Sequence, residues 1–532
     1  MKKGVTRFVM FFTLIKSGWI STVFLTVAFT FFFFLSVGQI QHAGRYETLL
    51  GEQERDYYKV LSVREHGIIL YRRLTSAPGN QIEFVRVDTA LQEVWRGYVQ
   101  LNLNETVLFT HVKKNLLYLL IKSKNNVLGD FMIAEMKIET GSYNLHIVRN
   151  LIPFNPTEFT IINGAALIGG YFNYRPLILH YSFKLLQSKI LPGFFNEPGE
   201  LTQMKPNDDG SVDVIVSAKN LEKRKGLWIR NYDSAGSLIK TTILQPEENK
   251  NLIFARSLKM QNGEQVVSGV YGRYSDYSRG IFVASINVFG EYAIKYYSYA
   301  ELQHFFNYMK AKREKRVKEK IERRRIKGKK VKFNYRILVQ ELIPYGNQYV
   351  LLGEAFYPHY AYASSSYSAY STNYYNRSYR IPNNRSDLVF DGYQYTHAVV
   401  IGFDKNGKLL WDNSFEINDV KSYNLEQFVK IYPQDDRIAL LYLFENGIRS
   451  KIISGSTILE GKSLDEMKLK FENDEVKNKE TETSKLDYWY GNNFFAFGVQ
   501  KVRNLREPSV QTTRKVFFVN KITFTKPTSA TK

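Results

Sequence analysis

The chain of 532 residues contains no cysteine, which excludes disulfide bridges, cysteine-ligated zinc, iron–sulfur clusters and a thiol nucleophile. Its eight histidines are scattered singly, and no two have the spacing of a zinc-binding helix motif. The sequence also lacks a Gly-x-Ser-x-Gly turn and a phosphate-binding loop. It therefore nominates no catalytic, cofactor-binding or metal-binding residue, and it implies no cofactor.

Acidic residues are fewer than basic ones: 51 Asp and Glu stand against 73 Lys and Arg, a net charge of +22. Between positions 310 and 332 the chain has 14 basic and three acidic residues, a local balance of +11. Half of the excess charge is thus concentrated in one segment. Such a concentration is typical of contact with an anionic partner or of a solvated, highly charged element.

The N-terminus carries a membrane-targeting pattern. Four basic residues in the first 16 positions precede residues 19–37, which contain no charged residue. This length can just span a bilayer as a helix, so a retained signal anchor is possible, whereas the small residues at 36–38 favour cleavage before Gln39. We expect residues 1–38 to be a signal peptide or signal anchor. Since the basic residues stay in the cytoplasm, residues 39–532 are expected to be exported, in a periplasmic, extracellular or membrane-anchored location.

Beyond about position 55, short runs of Val, Ile, Tyr, Phe and Leu alternate with Gly, Asn and Asp turns, a pattern typical of a mostly β chain. A hairpin of two apolar strands recurs, usually every 44 to 54 residues, and another pair of strands precedes each copy. The expected hairpin turns lie near positions 90, 141, 185, 236, 290, 407, 455 and 520. Four strands per unit suit a propeller blade, so we predict an all-β propeller of seven or eight blades. An array of β-sandwiches is the competing architecture.

The clearest copy of the hairpin, residues 400–411, reads VIGFDKNGKLLW. It resembles the repeat of the quinoprotein-type β-propellers, in which a strand, an Asp-containing Gly turn and a tryptophan-bearing strand recur. The resemblance implies a propeller fold but no activity, because this fold hosts enzymes and binding scaffolds alike. Asp404 at the turn could begin a calcium loop, but a hairpin turn explains it better. Among ionisable residues, Glu65, His66 and His397 are candidates for a position facing a central channel.

Residues 300–333 form the first of two insertions, and the absence of proline there predicts a helix. Apolar residues at helical spacing should dock its first turns on the propeller, and the charged turns that follow should project into water. The docking residues are Leu302, Phe305, Phe306 and Met309. The candidate contacts to an anionic partner, such as a membrane surface, are Arg313, Arg316, Lys320, Arg323, Arg324 and Arg325. A solvated helix without a partner is the alternative, and nucleic acid is disfavoured as a partner because export removes it from reach.

The second insertion, residues 357–395, holds ten tyrosines in 39 residues and lies between two strands of one blade. Tyrosine, serine and asparagine build adaptable contact surfaces, so we predict a loop that binds protein or glycan. A loop packed over the propeller rim is the alternative. The candidate binding surface consists of Tyr360, Tyr362, Tyr367, Tyr370, Tyr374, Tyr375 and Tyr379.

A further hydrophilic stretch, residues 463–485, is expected to be a charged linker. Taken together, these patterns favour an exported, non-enzymatic propeller that binds or scaffolds a protein or glycan at the cell envelope. The alternative is a propeller hydrolase or lyase that acts on an envelope polymer or glycan from the mouth of the channel. No oligomeric state is assigned.

Overall fold

The described strands form eight antiparallel sheets, the blades of a β-propeller: seven have four strands, and one has a short fifth strand. A computed structural model describes residues 40–74, 79–124, 126, 128–193, 198–274, 277–362 and 388–525. The expected all-β propeller is confirmed, with eight blades rather than seven. Residues 1–38, where the signal or anchor was expected, lie outside the described residues.

The first four blades follow one another in chain order, with the first strand of each innermost. Blade 1 contains β2 (Lys59–Ser62), β3 (Ile68–Leu74), β4 (Asn80–Val87) and β5 (Glu93–Leu101). Blade 2 contains β6 (Glu105–Lys113), β7 (Leu116–Ser123), β8 (Phe131–Lys137) and β9 (Tyr143–Val148). Blade 3 contains β10 (Asn155–Ile162), β11 (Ala165–Phe172), β12 (Arg175–Ser182) and β13 (Gln187–Ile190). Blade 4 contains β14 (Gly199–Pro206), β15 (Val212–Lys219), β16 (Lys225–Tyr232) and β17 (Leu238–Leu244).

The other four blades include the insertions and the closure of the ring. Blade 5 contains β18 (Asn251–Lys259), β19 (Gln265–Gly272), β20 (Gly280–Ile286) and β21 (Tyr292–Ser298). Blade 6 contains β22 (Arg336–Tyr345), β23 (Gln348–Tyr362), β24 (Leu388–Asp404) and β25 (Leu409–Glu416), with the short β26 (Lys421–Ser422) paired to β24. Blade 7 contains β27 (Lys430–Gln434), β28 (Arg437–Phe444), β29 (Gly447–Ser454) and β30 (Thr457–Glu466). Blade 8 contains β31 (Glu475–Tyr490), β32 (Asn493–Arg503), β33 (Thr513–Phe524) and β1 (Ile40–Leu49).

The apolar core is divided among the interfaces between neighbouring blades. Each of eight clusters joins side chains of two adjacent blades, as where Phe84 of blade 1 meets Leu119 of blade 2. Because the middle strands are buried on both faces, they form nearly continuous apolar runs, and residues 212–218 of β15 are all buried. This arrangement explains why the sequence shows runs of apolar residues rather than strict alternation.

Polar contacts between blades repeat around the ring at the turns between third and fourth strands. In four blades, Asp or Asn begins this turn and accepts hydrogen bonds from backbone amides of the turn, as Asp404 does from Asn406 at 2.9 Å and Lys408 at 2.7 Å. The hairpin interpretation of Asp404 is therefore confirmed. Side chains of the preceding blade then hydrogen-bond to carbonyls of the turn. These pairs are Trp95 with Ile138, His180 with Ser234, Lys240 with Asn287, Lys295 with Asn406, Asn413 with Gly455, and Lys521 with Thr89.

Blade 8 closes the ring by taking its outer strand from the beginning of the chain. β1 pairs antiparallel with β33, from Ile40 opposite Phe524 to Leu49 opposite Val516. The expected turn near position 520 is wrong, because that position lies inside β33. The other seven expected turns lie between third and fourth strands. In blade 8 this connection is absent, because the fourth strand belongs to the other end of the chain.

A buried cluster of charges holds this closure together, and we call it the closure cluster: Arg45, Glu47, Asp474 and Arg514. Arg45 pairs with Glu47 at 2.6 Å, and Arg514 pairs with Asp474 at 2.5 Å and with Glu47 at 3.3 Å. All four side chains are at most 5% exposed. Burial alone raises the pKa of Asp474, but hydrogen bonds from Arg514 and Asn504 outweigh burial and lower it. The cluster connects β1, β33 and the segment that leads into β31.

Two insertion boundaries differ from the expectation. Residues 463–485 are not a linker, because most of them belong to β30 and β31. The helix, α1 (Ala311–Ile326), begins eleven residues later than expected. The segment before it consists of turns, yet Leu302, Phe305 and Phe306 are buried, so the expected docking occurs without helical structure. Dense packing of these side chains against blades 5 and 6 stabilises turns in place of the helix that their spacing predicts.

Candidate functional site: the long-connection face

The two faces of the ring differ in the length of their connections. On one face, called the tight-turn face, first strands connect to second strands and third strands to fourth strands through two to five residues. The opposite face, called the long-connection face, carries the connections between second and third strands and those between blades. Residues 299–335, which include α1, belong to this face, and so does the end of the tyrosine hairpin at Tyr362 and Leu388. Antiparallel pairing within blades 5 and 6 thus places both insertions on the same side of the propeller.

α1 is fixed to the propeller along one side. Val317 and Ile321 are half-buried, spaced i and i+4, and pack against the core between blades 5 and 6. Glu314 lies on the same side and forms an ion pair with Lys318 at 2.6 Å, while Lys318 also donates to Asn307 at 3.0 Å. The helix therefore lies against the ring and does not project freely into water as expected.

Five of the six candidate cations form one surface of α1, which we call the basic stripe. With 3.6 residues per turn, they fall within an arc of about 100°. They are Arg313, Arg316, Lys320, Arg323 and Arg324. Arg325 lies on a different side of the helix. All members of the stripe are exposed, and none forms an ion pair with another described residue.

An aromatic cluster anchors the segment that precedes α1. The ring of Tyr308 stacks on the imidazole of His397 with a centroid distance of 3.7 Å, and Phe305 contacts the same imidazole edge-on at 5.0 Å. The hydroxyls of Tyr308 and Tyr335 are 3.1 Å apart. Burial lowers the pKa of His397 to about 3, so this histidine is neutral. His397 is a packing residue of blade 6 and does not face the channel.

The tyrosine-rich insertion is partly an extended hairpin. β23 and β24 continue pairing as far as Tyr362 opposite Leu388, so the loop is shorter than the expected 357–395. Tyr360 packs against Phe390 with a centroid distance of 6.0 Å, and Tyr357 is 47% exposed. Tyr393 and Tyr395 are buried in the core between blades 6 and 7. Of the candidate surface, Tyr362 lies in β23, whereas Tyr367, Tyr370, Tyr374, Tyr375 and Tyr379 lie outside the described residues.

Exposed apolar side chains in the connections are also unequally distributed between the faces. The tight-turn face exposes four in its turns: Leu185, Leu186, Val288 and Phe289. Among the described residues outside α1, the connections of the long-connection face expose ten: Leu103, Leu128, Leu151, Tyr174, Leu221, Tyr274, Tyr277, Tyr423, Leu425 and Leu505. Sequence analysis missed these residues, although a leucine between polar turn residues, as at Leu103 and Leu221, was a visible signal.

The wall of the central channel is formed by the first strands, and those of blades 2 to 6 contact one another in order, as do those of blades 7 and 8. Six of these strands carry an extra residue in the middle of their pairing. The extra residues are Leu108, Thr157, Thr202, Ile253, Gln340 and Lys477. Arg256 of blade 5 donates hydrogen bonds to the carbonyls of Thr202 in blade 4 and of Gln340 in blade 6. One guanidinium thus connects three blades at their bulges.

Glu158, directly after the bulge of blade 3, adds an unusual carboxyl group to this wall. Burial raises the pKa of Glu158 to about 7, and the charge of Arg256 reduces this increase. No sequence signal identified either residue, because the strands that bring them together are far apart in the chain.

Within residues 40–525, apart from the gaps given above, no cluster of three or more His, Asp or Glu side chains is arranged to hold a metal ion. Over the same residues, no helix has the length and apolar character required to cross a bilayer.

Comparisons with known proteins give only distant structural likenesses. No family model and no curated protein matches the chain. The WD40 domain of SCAP from fission yeast is 8% identical with a TM-score of 0.38, over 92% of this chain and 98% of that one. The polysaccharide lyase Uly1 is 8% identical with a TM-score of 0.38, over 78% and 89%. The β-propeller domain of the Trilobed protease from Pyrococcus furiosus is 10% identical with a TM-score of 0.33, over 80% and 98%. The strand topology establishes the propeller independently of these likenesses.

Proposed function

We propose that this propeller is an exported binding or scaffolding module whose long-connection face engages a protein or glycan of the cell envelope. The observation that carries the proposal is the gathering of features on one face: α1, the extended tyrosine hairpin and ten exposed apolar side chains. Exposed apolar residues next to cations and tyrosines are typical of interaction surfaces. The apolar and basic pattern of residues 1–37 supports export.

A comparison of the two faces tests binding. In the full-length chain, the variant Leu221→Ser, Tyr274→Ser, Tyr277→Ser alters the long-connection face. The control variant Leu185→Ser, Leu186→Ser, Phe289→Ser removes a similar amount of exposed apolar surface from the tight-turn face. We expect solubilised envelope material to retain the control variant and to lose most of the first variant. Equal retention of both variants would contradict the proposal.

Export is tested separately. An amine-reactive label that cannot cross the cytoplasmic membrane should modify the exposed lysines of α1 in cells whose cytoplasmic membrane is intact. Labelling that occurs only after lysis would show that the propeller is cytoplasmic and would refute this part of the proposal.

A second candidate function, hydrolysis or elimination on an envelope polymer, is supported by one observation. Glu158 is a carboxyl group whose pKa is raised to about 7, on the channel wall near Arg256, and such a group suits proton transfer near neutral pH. If the chain depolymerises a glycan, Glu158→Gln should abolish the reaction without loss of the fold. Depolymerisation at an unchanged rate would exclude Glu158 as the acid or base.

A further inference from the structure

The place where the chain enters the ring determines which face of the propeller would lie next to a membrane that retains the apolar N-terminal stretch. β1 begins at Ile40 on the tight-turn edge of blade 8, where Phe524 donates from its amide to the carbonyl of Asn492 in a tight turn. The apolar stretch ends at position 37. Three residues of extended chain reach at most about 10 Å. A retained membrane segment would therefore hold the tight-turn face against the bilayer.

The basic stripe lies on the opposite side of the propeller. The inner strands are eight to ten residues long in blades 3 to 6, so the two faces are separated by roughly 25 Å. At physiological salt the Debye length is about 8 Å, so charges at that separation are largely screened from each other. In this orientation the stripe does not reach the bilayer from which the chain emerges, and its partner must lie on the side away from the membrane.

The arrangement of cations fits an extended polymer. Successive members of the stripe are mostly three or four residues apart, which is a rise of about 5 Å along the axis, close to the length of one sugar unit. Four of the five are arginines, whose planar guanidinium groups bind carboxylate or sulfate groups through two parallel hydrogen bonds. Beside the segment that leaves α1, Arg336 lies 4.5 Å from the ring centroid of Tyr277, which is 46% exposed. An aromatic ring next to a cation offers a surface for a sugar ring and its acidic group.

We propose that the basic stripe binds a linear acidic polysaccharide on the face of the propeller that is turned away from the membrane. This inference rests on the proposed binding function and names the ligand class of its long-connection face. Rigid docking through Val317 and Ile321 holds the cations in a row before the polymer arrives, so little order is lost on binding.

The test uses the full-length chain reconstituted into vesicles of neutral phosphatidylcholine, with polygalacturonate as the acidic polymer and dextran as the neutral one. We expect polygalacturonate to bind and dextran not to bind. The variant Arg316→Gln, Lys320→Gln, Arg323→Gln should weaken binding about tenfold, as expected for three exposed ion contacts. The control Lys315→Gln, Lys318→Gln, Arg325→Gln removes the same charge from other sides of α1 and should change binding less than threefold. Equal losses in both variants would refute a specific stripe.

Vesicles of anionic phosphatidylglycerol provide the second arm. If the stripe faces away from the bilayer, polygalacturonate should bind equally well in both vesicle types at physiological salt. If phosphatidylglycerol weakened polygalacturonate binding more than tenfold, the stripe would lie on the lipid surface and the inference would be overturned. The proposed function is tested independently by retention on envelope material, which can depend on Tyr274 and Tyr277 even when polygalacturonate does not bind.

Discussion

The closure cluster and the basic stripe are both rich in arginine but use it in opposite ways. In the closure cluster, Arg45 and Arg514 are almost fully buried: Arg45 pairs with Glu47 within β1, and Arg514 pairs with Glu47 and Asp474 of two other segments. In the stripe, the guanidinium groups are exposed and pair with no described carboxylate. The same side chain therefore stabilises the ring in blade 8 and remains available to a partner on α1. Burial and pairing, rather than residue type, separate the two roles.

Removing one arginine of the closure cluster should have the largest effect. Arg514→Met leaves Asp474 buried without its ion pair, which should lower the free energy of unfolding by about 3–5 kcal/mol. The control Arg506→Met, at an exposed residue, should change it by less than about 0.5 kcal/mol. Urea denaturation measures both values. Similar values for the two variants would show that the cluster does not stabilise the closure.

A buried carboxyl group whose charge is not fully balanced by hydrogen bonds or cations should make the stability of the fold depend on pH. Burial raises the pKa values of Glu158 and of Glu354 from the ordinary 4.5 to about 7. Since the folded state binds these protons more tightly, their contribution to stability is fully present below about pH 4.5 and is lost as pH rises through 7. The expected loss is at most about 3 kcal/mol per group.

Denaturation of the wild type and of Glu158→Gln between pH 5 and 8 tests this prediction. The variant should remove about half of the decline in stability, and the further change Glu354→Gln should remove most of the remainder. A decline that is unchanged in Glu158→Gln would mean that this carboxyl group is ionised in the folded state at neutral pH.

A smaller effect is expected at a turn that joins two blades. Gly407 has φ of 71°, and an added Cβ would lie 3.1 Å from Val283 of blade 5. Gly407→Ala should therefore cost about 1 kcal/mol of stability. Gly461→Ala, at a site with no atom within 4 Å of the added Cβ, is the matched control and should be nearly neutral. Thermal melts measure the loss of stability in both variants. A loss only in Gly407→Ala indicates strain at this turn, whereas equal losses would indicate a general effect of replacing glycine.

The smallest effect on stability should come from the stripe. The variant Arg316→Gln, Lys320→Gln, Arg323→Gln should change the free energy of unfolding by no more than about 0.5 kcal/mol, because these side chains are exposed and form no ion pair with a described residue. A large loss, measured by the same denaturation, would mean that the stripe belongs to the fold as the closure cluster does.

Local signals in the sequence were sufficient to predict the repeated hairpin. Asp404 and Gly407 define a turn through side-chain acceptance and positive φ, so residues within five positions determine the hairpin. The fourth strand of blade 8 carries no comparable local signal, because β1 becomes part of that blade only through pairing with β33, almost the whole chain away. The expected turn near 520 was therefore misplaced by local reasoning.

The sequence predicted which residue types form the candidate site, but it did not predict how they are arranged. The stretch rich in arginine and lysine showed where the cations are. The docking of Val317 and Ile321 determines which of these cations share one exposed surface of α1. Arg325 lies outside that surface. The channel wall gave no signal, because Glu158 and Arg256 come from different blades. The aromatic spacing of residues 302–309 predicted burial correctly but the wrong backbone, since packing against His397 outweighs helical propensity.

The pairing of β1 with β33 also sets the order in which the molecule can be completed. The ribosome makes β1 first, but its hydrogen-bonding partner is not available until Phe524 has been synthesised. Until then the early strand has an open edge that can pair with another chain. Chaperones that shield such edges are therefore most needed while this protein is being synthesised, and truncated products, which can never complete the ring, should be especially prone to aggregation.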